Sequence, residues 1–127
     1  MVVIDTSALL RFFIRDSEPK YEQVQNLLNG DEDVCIPDVV IAELEYVFRK
    51  VYELPRTDII MAYKFLLNLK RYDSSRVAKI AFQYYEQSRI SMYDCFVLAH
   101  AFVSTSKIAS YDKKLLRMSV APFFVNQ

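Results

Sequence analysis

The chain reads as an α/β fold in which a parallel sheet is covered by helices. Three observations predict this. Short β-branched runs alternate with longer segments of helical periodicity. The 127 residues have the length of one domain, and no linker, repeat or low-complexity stretch divides 1–127. Hydrophobic residues make up 53% of the chain, enough for a core without disulfide or metal staples.

Val2-Val3-Ile4 suits a buried strand. Asp5-Thr6-Ser7 supplies three helix-capping residues, and 8–14 reads as a short helix. Tyr21, Val24, Leu27 and Leu28 mark a second helix that ends near Gly30, the only glycine. Val34-Cys35-Ile36 is the second strand. Pro37 and Asp38 open a long helix through about Val51, with Val40, Leu44, Val47 and Val51 as its buried stripe.

Pro55 breaks the chain, and Thr57 caps a further helix through about Leu69. That helix is apolar nearly all round, with Lys64 and Asn68 as a narrow polar strip. It calls for cover on both sides, by the core and by another chain. Ser74 or Ser75 begins a helix over 76–87, and Ser91 begins the next. Its 95–103 stretch carries no charge and reads as the central core helix. Lys107-Ile108-Ala109-Ser110 reads as a strand, a helical turn follows from Lys113, and Phe123-Phe124-Val125 reads as the last strand.

Sixteen basic residues balance sixteen acidic ones. A net charge of zero argues against a dedicated nucleic-acid coating protein and leaves room for an enzyme with a local basic rim. Cys35 and Cys95 make no disulfide framework and read as buried free thiols of a reducing cytosol. No run approaches the roughly 18 apolar residues that cross a bilayer. Asp5 interrupts the first apolar run, so a cytoplasmic protein is expected. Nine Tyr and nine Phe give more apolar surface than a small core absorbs, which predicts a partner or oligomer.

Sites in open α/β sheets form at the carboxyl ends of strands. Asp5 stands at one such end, and Asp112 just past another. A single glycine excludes a P-loop or dinucleotide loop. Glu43 lies at the margin of the buried stripe of its helix. Glu45 lies on the polar side, where Arg49 can pair with it at i+4. Asp94 starts the most apolar helix, where an acid is costly to bury uncompensated.

Each acid has a plain structural explanation. Asp5 and Asp112 can cap helices, Ser91 and Asp94 have capping-box spacing, and Glu43 can be a solvated flank. Four such acids on one rim would repel one another, and a divalent cation removes that repulsion. His100, the only histidine, sits among apolar residues and reads as core, so structural zinc is excluded. Oxygen ligands alone point to Mg²⁺ or Mn²⁺ and to phosphodiester hydrolysis. Arg11 and Arg15, then Lys113, Lys114 and Arg117, stand near the acids as candidate backbone contacts for RNA. Tyr93 and Tyr111 flank two acids and could stack on bases, with core packing as the default expectation for both. A phosphotransfer domain with an Asp-x-Asp pair is disfavoured because Ser7 stands two past Asp5.

Four segments together resemble the PIN domain family, and within it the VapC-type toxins of prokaryotic toxin-antitoxin pairs. They are 2–10 (Val-Val-Ile-Asp-Thr-Ser-Ala-Leu-Leu) with Asp5, and 36–44 (Ile-Pro-Asp-Val-Val-Ile-Ala-Glu-Leu) with Glu43. The others are 91–101 (Ser-Met-Tyr-Asp-Cys-Phe-Val-Leu-Ala-His-Ala) with Asp94, and 109–115 (Ala-Ser-Tyr-Asp-Lys-Lys-Leu) with Asp112. The resemblance implies a three-layer α/β/α sandwich and an Mg²⁺- or Mn²⁺-dependent endoribonuclease using one or two ions. It implies catalytic, metal-ligating roles for Asp5, Glu43, Asp94 and Asp112, with Ser110 and Ser7 in support. It further implies a homodimer held inactive by a cognate antitoxin. A PIN-like module that binds RNA or protein without cutting is the competing expectation.

Overall fold

The computed structural model describes residues 1–124. Their elements run β1 (Val2–Val3), α1 (Thr6–Ile14), α2 (Glu18–Asn29), β2 (Val34–Cys35), α3 (Asp38–Lys50), α4 (Arg56–Leu67), α5 (Arg76–Glu86), α6 (Met92–Ser104) and α7 (Lys113–Met118). The chain divides into two compact units, Met1–Ser74 and one that begins at Ser75.

In the first unit the β-branched runs pair in parallel, with Val2 opposite Val34 and Val3 opposite Cys35. Tyr72 adds a parallel bridge on the far side of Val34. The buried Tyr72 hydroxyl donates to the Ile36 carbonyl at 3.3 Å, fixing the chain just past β2. The parallel α/β class read from the sequence is therefore present. The first helix begins at Thr6, two residues earlier than its apolar run predicts, because the Asp5 carboxylate accepts the Ala8 N–H. Gly30 ends α2 with φ at −86°, so it is not a left-handed cap. Its need is space: a Cβ there would lie 2.9 Å from the Asn26 carbonyl.

The buried side of α3 differs from the expected stripe. It consists of Ile41, Leu44, Glu45 and Phe48, flanked by Val40, while Val51 is exposed. Phe48 is the bulkiest apolar side chain of α3 and turns the helix toward itself. Glu45 is carried inward with it and is fully buried, not on the polar side as expected. Its charge is met by Arg49 Nε at 2.8 Å, the expected i,i+4 pair formed facing in.

Helix α4 starts after Pro55, one residue before the expected cap at Thr57. Its buried side is Ile59, Ala62, Tyr63 and Leu66. The Tyr63 hydroxyl donates to the Ile41 carbonyl of α3. Phe65 is 41% exposed and stacks on Phe12 at 5.3 Å, and Phe12 stacks in turn on Tyr21. Met61 on the same helix is 64% exposed.

In the second unit Ser75 caps α5, which packs along α6. They bury Ala78, Ala81, Phe82 and Tyr85 from one helix and Met92, Cys95, Phe96, Leu98 and Ala99 from the other. The α6 helix is not buried all round as expected: Val97 and Phe102 are about half exposed, and His100 faces solvent instead of the core. Charge-free sequence is compatible with a half-exposed helix because exposed apolar atoms are common on folded surfaces. The expected strand at 107–110 shrinks to one parallel bridge between Ile108 and Pro122. The Ser110 hydroxyl accepts the Asp112 N–H at 2.9 Å and turns the chain into α7 before a strand can extend. Pairing of the last segment centres on Pro122 rather than 123–125, and Val125 lies outside the described residues. Cys95 is buried, Cys35 is half-buried, and both are free thiols. Among the described residues no helix is long and apolar enough to cross a membrane.

Removing Arg49 takes a cationic partner from a buried carboxylate. Breaking a buried pair costs about 3–5 kcal/mol, and the partial exposure of Arg49 lowers this to about 2 kcal/mol. Urea denaturation of Arg49→Ala should show that loss, whereas Arg15→Ala, which breaks the exposed pair with Glu18, should match the parent. Equal stability of the two variants would contradict a structural role for the Glu45–Arg49 pair.

Candidate active site

Asp5 follows β1 directly and is the N-cap of α1. Its Oδ1 accepts from the Ser7 hydroxyl at 2.8 Å and from the Ala8 N–H at 3.0 Å. The Ser7 hydroxyl, then the Ala8 N–H, hold the Asp5 carboxyl below its ordinary 3.8, against a smaller opposing effect of burial. The side chain remains exposed, so it is an anion open to solvent at neutral pH. Ser7, read as a support for Asp5, is in contact with it.

Glu43 projects from the second turn of α3 and is exposed, between buried Ala42 and Leu44. Its Oε1 accepts a hydrogen bond from the Thr6 hydroxyl. Thr6 is buried, so one residue next to Asp5 reaches across to α3 and ties the two acids to a common support. Sequence reasoning missed this residue. The signal was the Thr beside the acid, which was read only as a capping residue.

Asp94 lies in the first turn of α6 and is half-buried. Ser91 Oγ accepts its N–H at 3.2 Å. Among the described residues the return bond that would complete a capping box is missing, so the carboxylate is not consumed by the cap. Asp112 is the N-cap of α7 and is exposed. Its Oδ1 accepts from the N–H groups of Lys114 and Leu115 at 2.9 and 3.1 Å. Ser110 supports it through the backbone, by accepting its N–H.

The capping explanation is thus realised for Asp5 and Asp112, and it leaves chemistry available. A carboxylate has two oxygens and about four lone-pair sites. The hydrogen bonds engage Oδ1 of Asp5, Oε1 of Glu43 and Oδ1 of Asp112, one oxygen of each of these three side chains. Among the described residues none of the four candidate acids is ion-paired, while Asp16, Glu18, Asp33 and Glu45 each have an arginine. The structure brings Asp5 and Glu43 together through Thr6. Among the described residues no three His, Cys, Asp or Glu side chains gather closely enough to hold a metal by themselves.

The basic candidates fall into two groups. Arg11 pairs with Asp16 at 2.7 Å, and Arg15 pairs with Glu18 while its guanidinium lies 4.0 Å from the Tyr21 ring centre. Lys113 and Lys114 are exposed beside Asp112. Tyr93 and Tyr111, expected in the core, are 44% and 77% exposed.

The PIN domain family matches residues 2–121, a span that contains all four candidate acids and extends into both units. The chain belongs to the PIN domain family. Its fold is the PIN fold, the α/β class expected from the sequence, and PIN domains are generally nuclease modules. No curated protein matches the chain.

The Asp5 anchor has a measurable consequence. Its lowered value belongs to the folded state, so the carboxylate contributes stability above its unfolded value and loses it as pH falls through the folded one. Ser7→Ala should raise the Asp5 titration midpoint toward 3.8, followed by carboxyl NMR. The variant should be slightly less stable than the parent at neutral pH, with the gap closing in acid. An unchanged midpoint would show that Ser7 does not bear on Asp5.

Proposed function

We propose that the protein is a metal-dependent endoribonuclease that hydrolyses RNA phosphodiester bonds, with Asp5, Glu43, Asp94 and Asp112 as its metal-ligating residues. The observation that carries this reading is the state of those acids within a PIN fold. All four reach solvent, none is ion-paired among the described residues, and three are anchored through a single oxygen. Acids retained for structure are ordinarily paired or fully used by a cap.

The donor set is oxygen only, which fits one or two Mg²⁺ or Mn²⁺ ions. Mg²⁺ commonly takes one or two carboxylates and completes its shell with water and phosphate, so it does not need a three-ligand cage formed in advance. Such an ion, when bound, supplies charge neutralisation at the phosphate and an acidified water. The chain's own part is positioning. Ser7 and the Ala8 N–H orient Asp5, Thr6 orients Glu43, and the first turn of α7 orients Asp112. Lys113 and Lys114 offer charge to the RNA backbone, and Arg11 and Arg15 can also be released for it because exposed ion pairs exchange at little cost.

The same reading extends to a VapC-type toxin that acts as a cytoplasmic homodimer and is restrained by an antitoxin. Exposed Met61 and Phe65 on α4 and the nearby exposed Tyr46, Val51 and Tyr52 support a covered surface. Sedimentation should give a dimer, and induced expression should arrest growth until the neighbouring gene is co-expressed. A monomer removes the dimer, and unaffected growth removes the toxin role.

Cleavage of a mixed RNA panel, with Mn²⁺ and with chelator, tests the activity. Cutting should need the metal and should be abolished in Asp94→Asn. Thr6→Val should lower the rate about 10- to 100-fold with KM little changed, and Thr6→Ser should restore it. Binding of RNA without metal-dependent cutting would leave a non-catalytic module in place of the enzyme.

A further inference from the structure

Tyr111 immediately precedes Asp112 and is 77% exposed. One face of its ring is covered by Phe124, with centroids 5.1 Å apart and planes 15° from parallel. Phe123 stands edge-on to Phe124 at 5.5 Å and is itself 62% exposed. The three rings form a contiguous aromatic surface that folding has not hidden, unlike the scattered single exposures common on proteins. It is also held in place. Ile108 N–H donates to the Ala121 carbonyl at 2.9 Å and Phe123 N–H to the Ile108 carbonyl at 2.7 Å, so both sides of the stack hang from one backbone bridge.

One acid, Asp112, and then two lysines follow Tyr111 along the chain. Lys113 and Lys114 are exposed in the first turn of α7, where the helix dipole disfavours cations. Neither residue helps the helix there. A flat, exposed ring followed within three residues by two exposed lysines matches an unpaired base joined to its phosphate. A duplex does not fit, because its bases already stack on one another and present only their edges.

We propose that Tyr111, backed by Phe124, is a base-stacking platform that holds one unpaired nucleotide of single-stranded RNA beside Asp112. This inference rests on the ribonuclease reading and names the side chains that would hold a base there. Phe124 restricts the Tyr111 ring before the RNA arrives, so less side-chain freedom is lost on binding. The platform is sequence-tolerant, since every base offers a π face.

The test measures binding apart from cutting. A fluorescein-labelled single-stranded RNA, and the same strand in a duplex, are titrated with the full chain in chelator and followed by anisotropy. Single-stranded RNA should bind better than the duplex. Tyr111→Ala should weaken single-strand binding about tenfold and leave duplex binding unchanged, while Tyr111→Phe should match the parent. Tyr111→Leu keeps apolar bulk without a π face and should bind as weakly as Tyr111→Ala. Parent-like binding by Tyr111→Ala or by Tyr111→Leu would overturn the platform, as would absence of single-strand binding by the parent. Metal-dependent cleavage by the same preparations reports separately on the ribonuclease reading, so either can fail while the other stands.

Discussion

Parallel strands end on the same edge of their sheet, and in the first unit that edge is where two helices begin. Ile4 N–H donates to the Cys35 carbonyl, closing the β1–β2 pair just before Asp5 on one strand and just before Pro37 on the other. The chain must turn out of the sheet at both places. Asp5 makes the first turn by capping α1, and Pro37 makes the second by starting α3. Glu43 comes to the neighbourhood of Asp5 because α3 rises from the strand beside it, and Thr6 fixes the approach with a hydrogen bond. A slip of the β1–β2 register by one residue would move every side chain of β1 to the other face and undo that contact.

Helix capping and ligand binding are often set against each other as explanations of an acid at a helix start. Here the two are compatible. A cap needs one oxygen, and the Asp5 and Asp112 caps use Oδ1. Anchoring lowers the rotamer freedom that a long-range electrostatic role would otherwise have to overcome. It also favours the charged form, as the lowered Asp5 value records. Glu45 shows the opposite use of the same residue type two positions from Glu43. It is fully buried and its charge is spent on Arg49. Burial and partner, not residue type, separate a structural carboxylate from an available one.

Strand runs and helix periods were legible because each is a local property. The β-branched runs at 2–4 and 34–36 and the caps at Asp5, Ser75, Ser91 and Asp112 lie where the sequence places them. What the sequence hid was set by contacts distant along the chain. The wheel of α3 has two near-equal apolar stripes, and only packing around Phe48 decides that Glu45 goes in and Val51 out. The Thr6–Glu43 bond spans 37 residues and leaves no periodic trace. Tyr93 and Tyr111 read as core because aromatic side chains usually are, yet a charge-free helix and a short terminal segment do not supply enough neighbours to cover them. Of the candidate site, the acids and Ser7 were legible as residue types, while the oxygen that each commits to the scaffold was not.

The zero net charge gains a different meaning once the pairs are placed. Arg11, Arg15, Arg49 and Arg71 each face an acid of the first unit. Those pairs consume positive charge where it lies closest to the carboxylates of that unit. The candidate acids stay unpaired among the described residues, so the balance is not local: neutral scaffold pairs coexist with bare anions. Acids without an ion pair repel a phosphate backbone, and only charge within a Debye length of about 8 Å at physiological salt offsets that repulsion. A divalent cation bound at the acids, as proposed, would reverse the sign beside them. Under the ribonuclease proposal a cation would let the acids of a neutral chain meet a phosphate, while contacts made away from the acids would not depend on it.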